Sequence, residues 1–347
     1  MVIHRGSPAR APRFLQRVTM TPLRISIVMC TYNGAAYLQP QFDSLLAQTR
    51  LPDEIMISDD GSTDGTMAMV EAFAVTARNI GVDARILRHA SNMGFVENFS
   101  SALRQATGDI VFLCDQDDVW RPNKVALMAA RFGNDPELLL LHSDARLVDA
   151  KGVSLHCSMF EALQMTAQEK LAIHGGCAFD VVMRRSFVTG ATAALRREVI
   201  DMALPIAQNW IHDEWLTAVV SAVGKMDFVD AALIDYRQHA GNQIGARKRT
   251  LAMKWRNLIL PRGKFLADEA KRLSRLESFL AHASFFDGSL RAAQIKHKRK
   301  HFERRVAIGQ LPRYRRLMSV IREARAGDYR RYGTGGRSML RDLLRRD

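Results

Sequence analysis

The stretch Gly108-Asp109-Ile110-Val111-Phe112-Leu113-Cys114-Asp115-Gln116-Asp117-Asp118-Val119-Trp120 sets five apolar residues of strand length against three carboxylates packed into four positions. A short apolar run ending in charge reads as a buried strand whose end meets solvent. Working outward, apolar and β-branched runs at 25–30, 54–58 and 84–88 precede it, and the four ends are spaced by 28, 30 and 26 residues. Helical patterns at 37–48, 66–78 and 97–106 lie between them. Each unit is long enough for a right-handed crossover, so the spacing predicts an α/β fold with a mainly parallel sheet. Ligands in such sheets bind outside the carboxyl ends of the strands.

The residues at those four ends are polar: Thr31-Tyr32-Asn33-Gly34, Asp59-Asp60-Gly61-Ser62, Asn92-Met93-Gly94-Phe95 and Asp115-Gln116-Asp117-Asp118. Neither GxGxxG nor GxxxxGK[ST] follows the first strand, which argues against a dinucleotide site and a P-loop. Three crowded carboxylates repel one another unless a cation relieves them, and a hard divalent cation with oxygen ligands, Mg2+ or Mn2+, suits the cluster. The same residues also fit a turn and a helix N-cap ahead of Pro122. Asp59 and Asp60 suit either a tight loop or contact with a base edge or ribose hydroxyl.

The chain has 347 residues, 47% of them hydrophobic and 25% charged, a composition that excludes wholesale disorder. It contains no apolar run of 18 residues, so no membrane-spanning helix is expected. The basic N-terminus lacks the apolar core of a secretory signal, which points to the cytoplasm. Cys30, Cys114, Cys157 and Cys177 show no CxxC spacing, so neither a disulfide framework nor a zinc site is expected. The net charge of +14 is unevenly placed: 246–347 carries +19, 1–24 carries +5, and the remainder is acidic at −10. We divide the chain into a flexible basic arm at 1–22, an α/β domain at 23–245 and a basic, mainly helical region at 246–347. In that last region Leu251, Trp255, Leu258 and Ile259, then Leu266, Ala270, Leu273, Leu276 and Leu280, recur at helical spacing. Its Arg-rich faces fit either an anionic membrane surface or a solvated face packed on the domain. Nucleic acid is disfavoured, because the positive charge avoids the domain that carries the motifs.

Four ordered segments, IVMCTYNGAAYL (27–38), ISDDGSTDGT (57–66), NMGFVENF (92–99) and GDIVFLCDQDDVWRPNK (108–124), resemble family 2 glycosyltransferases with the GT-A fold. FLCDQDDVW is close to the form seen in bacterial rhamnosyltransferase-like members. The resemblance covers about 23–245. It implies the GT-A nucleotide-diphospho-sugar transferase fold, Rossmann-like, with the basic helical region as an extension. It also implies that Thr31, Tyr32, Asn33, Asp59, Asp60, Asn92, Asp115, Gln116 and Arg237 bind the nucleotide sugar. Asp115 and Asp117 would form the DxD pair, the first near the ribose and the second on the cation that bridges the diphosphate. Similar members carry an HSDA–LVD–G stretch on the acceptor side, matching 142–152 here.

His212-Asp213-Glu214-Trp215 opens an apolar helical pattern running to about 223. Asp213 fits an N-cap. The resemblance instead implies the carboxylate that faces the anomeric carbon, the general base, with Glu214 and Trp215 on the acceptor side. Glu214 stands where an aromatic residue is usual, which leaves it as a second candidate for the base. The segment Tyr236-Arg237-Gln238-His239 resembles the family's YR-x-H-x-x-N motif, implying that His239 ligates the metal or a phosphate oxygen. The expected activity is inverting transfer from a dTDP-, UDP- or GDP-sugar, with rhamnose favoured, to a saccharide or lipid-linked saccharide in cell-surface polysaccharide synthesis. The place expected for it is the cytoplasm, peripheral on the inner face of the plasma membrane if the basic region docks there. The other reading is a non-catalytic protein that binds a sugar nucleotide or an anionic surface.

Overall fold

The computed structural model describes residues 22–239, 258–283 and 289–345. The arm at 1–21, the apolar pair Leu251 and Trp255, and the 245/246 boundary lie outside them. The four apolar runs form β1 (Ile25–Thr31), β2 (Glu54–Asp59), β3 (Asp83–Arg88) and β4 (Ile110–Cys114). The helices between are α1 (Ala35–Leu46), α2 (Thr66–Asn79) and α3 (Phe95–Gln105). All seven lie within two residues of the expected bounds.

β1 is buried along its whole length because both faces of the sheet are covered. Ile25, Ile27 and Met29 face one core with Phe42 and Phe73 of α1 and α2, whose rings stack at 4.1 Å. Val28 and Cys30 face a second core with Phe99 and Leu103 of α3. β3–β2–β1–β4 is parallel throughout, with Thr31 level with Asp59 and Met29 level with Cys114, so the polar ends meet on one edge.

The second half adds β5 (Val119–Trp120), α4 (Lys124–Asn134), β6 (Leu138–Val148), β7 (Ser154–Ser158), α5 (Met159–Ala162), α6 (Ala167–His174), α7 (Ala178–Val182), β8 (Ala193–Arg196), α8 (Arg197–Ala203), α9 (His212–Val223) and β9 (Lys225–Arg237). The sheet order is β3-β2-β1-β4-β8-β6-β9-β5, with β7 on β6. The parallel pairing expected of the sheet holds for β1 to β4 and for β6 with β9, and short antiparallel pairs are added to it. β8 runs antiparallel to both β4 and β6, and β5 and β7 pair antiparallel as well, so this half is mixed. β6 continues through Asp144. The Asp144 carboxylate accepts the N–H groups of Ala145 and Phe160 at a register shift, and the strand runs on to Val148.

The basic region is helical, as its periodicity predicts: α10 (Gly263–His282), α11 (Ser289–Gln310), α12 (Arg313–Arg325), α13 (Asp328–Arg331) and α14 (Gly336–Leu344). Leu266, Ala270, Leu273, Leu276 and Leu280 form the buried stripe of α10 and join Ile295, Phe302 and Trp215 in the second core. Part of the region's charge is turned inward. Arg305, Arg316 and Arg345 are buried, and Arg305 pairs with the equally buried Asp342 at 2.7 Å.

Candidate active site

The strand ends converge on a cavity of about 630 Å³ lined by Thr31, Tyr32, Asp60, Asn92, Asp115, Gln116, Asp117, Asp213 and Glu214, among others. The short antiparallel pairing of β5 with β9 sets Val119 opposite Asp235. This carries the chain beyond β9 back across the aspartate loop. His239 Nε2 consequently lies 2.7 Å from Asp117 Oδ2, and its ring stacks on Tyr37 at 4.4 Å. Asp117 and His239 are therefore brought together, with Asp115 beside Asp117.

Electrostatics mark the spot. Burial, then the charges of Asp117 and Asp213, push the Asp115 carboxyl up to about 7, partly offset by Lys124. Asp118 is also held well above the ordinary carboxylate range by burial and by Asp117 and Asp115. It accepts the Arg237 N–H at 3.0 Å, while its second oxygen has no hydrogen-bond partner among the described residues. Lys124 is fully buried behind the loop, donates to the Ala191 carbonyl at 2.7 Å and lies over the Trp120 ring; burial lowers it to about 7. Four carboxylates thus act on one another around one buried lysine.

Asp213 sits in the first turn of α9, where carboxylates are favoured by the helix dipole. Its Oδ2 accepts the Gly190 N–H at 2.8 Å and its Oδ1 the Glu214 N–H at 2.7 Å. Gly190 has to be small: a Cβ there would stand 3.2 Å from His212 Nε2 and 3.4 Å from Asp213 Oδ2. Glu214 is paired with Arg272 of α10, and burial raises its carboxyl.

Several expected ligand residues serve the frame instead. Asp59 is fully buried and accepts from Thr31 Oγ1, Ser62 N and Ser62 Oγ. Its neighbour Asp60 is the one on the cavity wall, accepting the N–H groups of Met93 and Gly94 and so tying the third strand-end loop to the second. Asn33 clamps the Thr63 N–H at 2.9 Å and does not line the cavity. Gln116 bonds the Tyr32 N–H and carbonyl at 2.9 and 3.1 Å, holding Tyr32 half exposed at the rim. Gly34 makes this possible, since a Cβ there would fall 2.1 Å from Gln116 Oε1. Arg237 is buried, donating to the carbonyls of Asp117 at 2.8 Å and Ala150 at 3.0 Å, and does not line the cavity.

Two acceptor-side expectations are corrected. Trp215 is 1% exposed and donates its indole N–H to the Ala203 carbonyl at 2.7 Å, so it is a core residue and not a floor for a sugar. Trp215 is two residues on from Asp213, about 200° around α9, so it falls on the opposite, inner face. The HSDA stretch is also internal: His142 is fully buried among Phe160, Phe187 and Phe228, and burial drives its imidazole down to about 3. The residues of this half that do reach the cavity are Met159, Leu163, the 186–190 and 211–214 segments and Tyr236.

Two residues went unnoticed in the sequence. His212 lines the cavity, stacks on Phe99 at 3.9 Å and has no hydrogen-bond partner on either ring nitrogen among the described residues. Its place next to Asp213 was the available signal. Lys124, at the end of the aspartate motif, gave none beyond proximity. Far from this cavity, His301, Glu323 and Asp328 bring potential metal-ligating atoms within 4.8 Å of one another. Arg304 is ion-paired to both of those acids, so the cluster already contains its cation.

Comparison with known proteins agrees with the fold. An uncharacterized glycosyltransferase of Nostoc sp. is 27% identical over 228 residues, 63% of this chain and 66% of its own length, so the chain spans just under two thirds of that relative. The dTDP-rhamnosyl transferase RfbG of Shigella flexneri is 24% identical over 274 residues, 76% of this chain and 88% of that one. Among solved structures, the mannosyltransferase PcManGT of Pyrobaculum calidifontis, in complex with GDP-Man and Mn2+, superposes with a TM-score of 0.51 at 18% identity, covering 89% of this chain and 77% of that one. The fold is the GT-A fold that the motifs led us to expect. The family model described as glycosyl transferase family 2 matches residues 26–200, half of the chain and all four strand-end motifs, and the protein therefore belongs to that family.

Proposed function

We propose that the protein is an inverting glycosyltransferase that moves a sugar from a nucleoside diphosphate sugar to a saccharide or lipid-linked saccharide acceptor. The observation that carries the reading is the meeting of Asp115, Asp117 and Asp213 on one cavity, with His239 held against Asp117. A divalent cation fits there: Asp117 and His239 offer adjacent O and N ligands, and the crowding that lifts Asp115 is the repulsion a cation relieves. Asp117 and His239 would hold it. When bound, it would supply positive charge to the leaving diphosphate. Mn2+ is supported by the PcManGT complex, and Mg2+ suits the same ligands.

The chain's own residues divide the remaining work. Asp60, Asn92, Thr31 and the Tyr32–Gln116 pair line the donor side. Asp213 is the base that takes the proton from the attacking hydroxyl. Its two backbone N–H bonds fix the carboxylate's direction without neutralising it. Glu214 is a poorer base here, since Arg272 already claims its charge. Attack on the anomeric carbon opposite the departing diphosphate inverts the centre, and holding both substrates in line supplies much of the acceleration.

A dTDP-rhamnose donor and a role in cell-surface polysaccharide synthesis are the finer reading, supported by the likeness to RfbG. Peripheral membrane docking is supported by α12, which exposes Tyr314, Leu317 and Met318 alongside Arg313 and Arg315. No helix among the described residues is long and apolar enough to cross a membrane. The reading is tested by product analysis with dTDP-rhamnose, UDP-sugars and GDP-sugars. Transfer or hydrolysis of one donor, with the anomeric configuration inverted, is expected; a retained configuration would refute the mechanism.

A further inference from the structure

A second cavity, of about 340 Å³, lies between the catalytic unit and the C-terminal helices. That volume suits a small-molecule site. It shares Ser186 and Glu214 with the first cavity, so it opens beside the residue next to Asp213. Seven cationic side chains line it, among them Arg184, Arg185, Arg272, Lys298, Arg305 and Arg341, against only two carboxylates, Glu214 and Glu269. Glu169 and Asp342 pair with Arg185 and Arg305 from outside the lining.

Lys298 is the telling residue. It lies on α11 and is 7% exposed. No hydrogen bond or ion pair to its Nζ is found among the described residues, and its nearest ring contact is Phe302, 5.4 Å from the centroid. Burial lowers its ammonium to about 8, with Arg272 adding to the effect and Glu269 and Glu214 opposing it. Burying an ammonium is costly, and Glu269 and Glu214, each already paired with Arg272, offset that cost only in part. The hydroxyls of Thr334 and Ser338 add neutral donors to the same wall. Convergent guanidinium forks, an ammonium and hydroxyls match a tetrahedral dianion better than a single planar carboxylate.

We propose that this second cavity is an anion subsite that holds a phosphate group of the acceptor, anchoring it next to the catalytic Asp213. The inference rests on the transferase reading and narrows its acceptor to a phosphate-bearing saccharide or lipid-linked saccharide. An acceptor held by its phosphate here presents its hydroxyl across Glu214 to the base. The Arg272–Glu214 pair then sits at the junction of the two cavities, and the C-terminal helices become the acceptor-binding part of the enzyme.

The test is a calorimetric titration of the full chain with inorganic phosphate, in a buffer without other oxyanions and at constant ionic strength. Wild type, Lys298→Met and the charge-conserving Lys298→Arg are compared. Saturable binding to wild type is expected, weakened about tenfold or more in Lys298→Met and kept in Lys298→Arg, the range of one lost charge-assisted hydrogen bond. Absence of saturable binding to wild type overturns the proposal. Binding unchanged in Lys298→Met also overturns it, because the phosphate then occupies the donor's diphosphate site. If the methionine variant does not fold, Lys298→Gln takes its place. A parallel titration with dTDP, UDP and GDP, each with Mn2+, reads the first cavity. Phosphate binding without nucleotide binding refutes the transferase reading and leaves an anion site. Nucleotide binding without phosphate binding refutes the subsite alone. Among phosphate sources, a soluble sugar phosphate that competes with inorganic phosphate supports an acceptor subsite, whereas competition only by vesicles containing phosphatidylglycerol assigns the cavity to a lipid headgroup and overturns its acceptor role.

Discussion

His239 Nε2 and Asp117 Oδ2 stand 2.7 Å apart although 122 residues of chain separate them. The contact is made by the two-residue strand β5, whose pairing with β9 folds the end of that long strand over the aspartate loop. Neither residue is a metal site alone, and together they supply two adjacent ligands of the kind a divalent cation takes. His239→Ala is therefore expected to lower metal-dependent donor turnover roughly 10- to 100-fold. Higher metal concentration should recover part of the loss. Steady-state kinetics over a Mn2+ series checks this, and an unchanged metal requirement would remove His239 from the site.

Asp213→Asn keeps the shape and one of the two backbone hydrogen bonds, since the amide has a single acceptor oxygen, while removing the proposed base. We expect kcat to fall roughly 100- to 10,000-fold with the donor Kd little changed. Measuring donor Kd and kcat on the same preparation separates the two. A loss confined to Kd would make Asp213 a donor ligand.

Gly34→Ala should be more damaging than a helix N-terminal glycine suggests. The added Cβ lies 2.1 Å from Gln116 Oε1, so the clamp on Tyr32 has to open. An overpacking cost of about 1–3 kcal/mol is expected, together with a raised donor KM. Gln116→Ala in the same background should restore stability without restoring KM. Thermal melts and donor saturation curves of the two variants test the pair.

Arg272→Ala removes the cation beside Glu214, a carboxylate that burial already raises. Stability should fall by about 1–3 kcal/mol, the cost of leaving a partly buried group unpaired. The double variant with Glu214→Gln should recover most of it. Urea unfolding of the single and double variants gives the coupling directly.

Lys298 gives stability a pH dependence. Its folded ammonium titrates near 8 and its unfolded one near the ordinary 10.5, so between these values the unfolded chain binds more protons. Stability therefore gains from this group as pH rises from about 8 to about 10.5, and its penalty is fully present below 8. Lys298→Met should abolish that gain and raise the melting temperature most at pH 7. Melting curves of both proteins at pH 7 and pH 9.5 test it; equal differences at the two pH values would contradict the burial argument.

How much of this was legible in the sequence follows from which interactions are local. The βα rhythm places β1 to β4 and α1 to α3 within two residues, because period and turn chemistry are properties of short windows. Asp115, Asp117 and Asp213 could be located because strand ends and helix starts carry their own signals. Sequence favours Asp60 over Asp59 for ligand contact only slightly: adjacent residues alternate in direction, and the Thr31 hydroxyl opposite decides that Asp59 is consumed internally. Trp215 was misplaced because an apolar helix face looks alike whether it meets a ligand or a second helix, and α10, which covers it, lies some fifty residues on. The antiparallel insertion of β8 is set by a long-range pairing with β4 and β6 that no local pattern records. The inward-facing charges of the C-terminal helices, Lys298 above all, are counted in the composition, yet their burial depends on how five helices pack.

The most direct measurement is binding of a panel of dTDP-, UDP- and GDP-sugars with and without Mn2+ or Mg2+, for wild type and Asp117→Ala. The account predicts that one donor binds wild type in a metal-dependent manner and that Asp117→Ala loses this by about 100-fold or more. Metal-independent binding that is equal in the two proteins would contradict it.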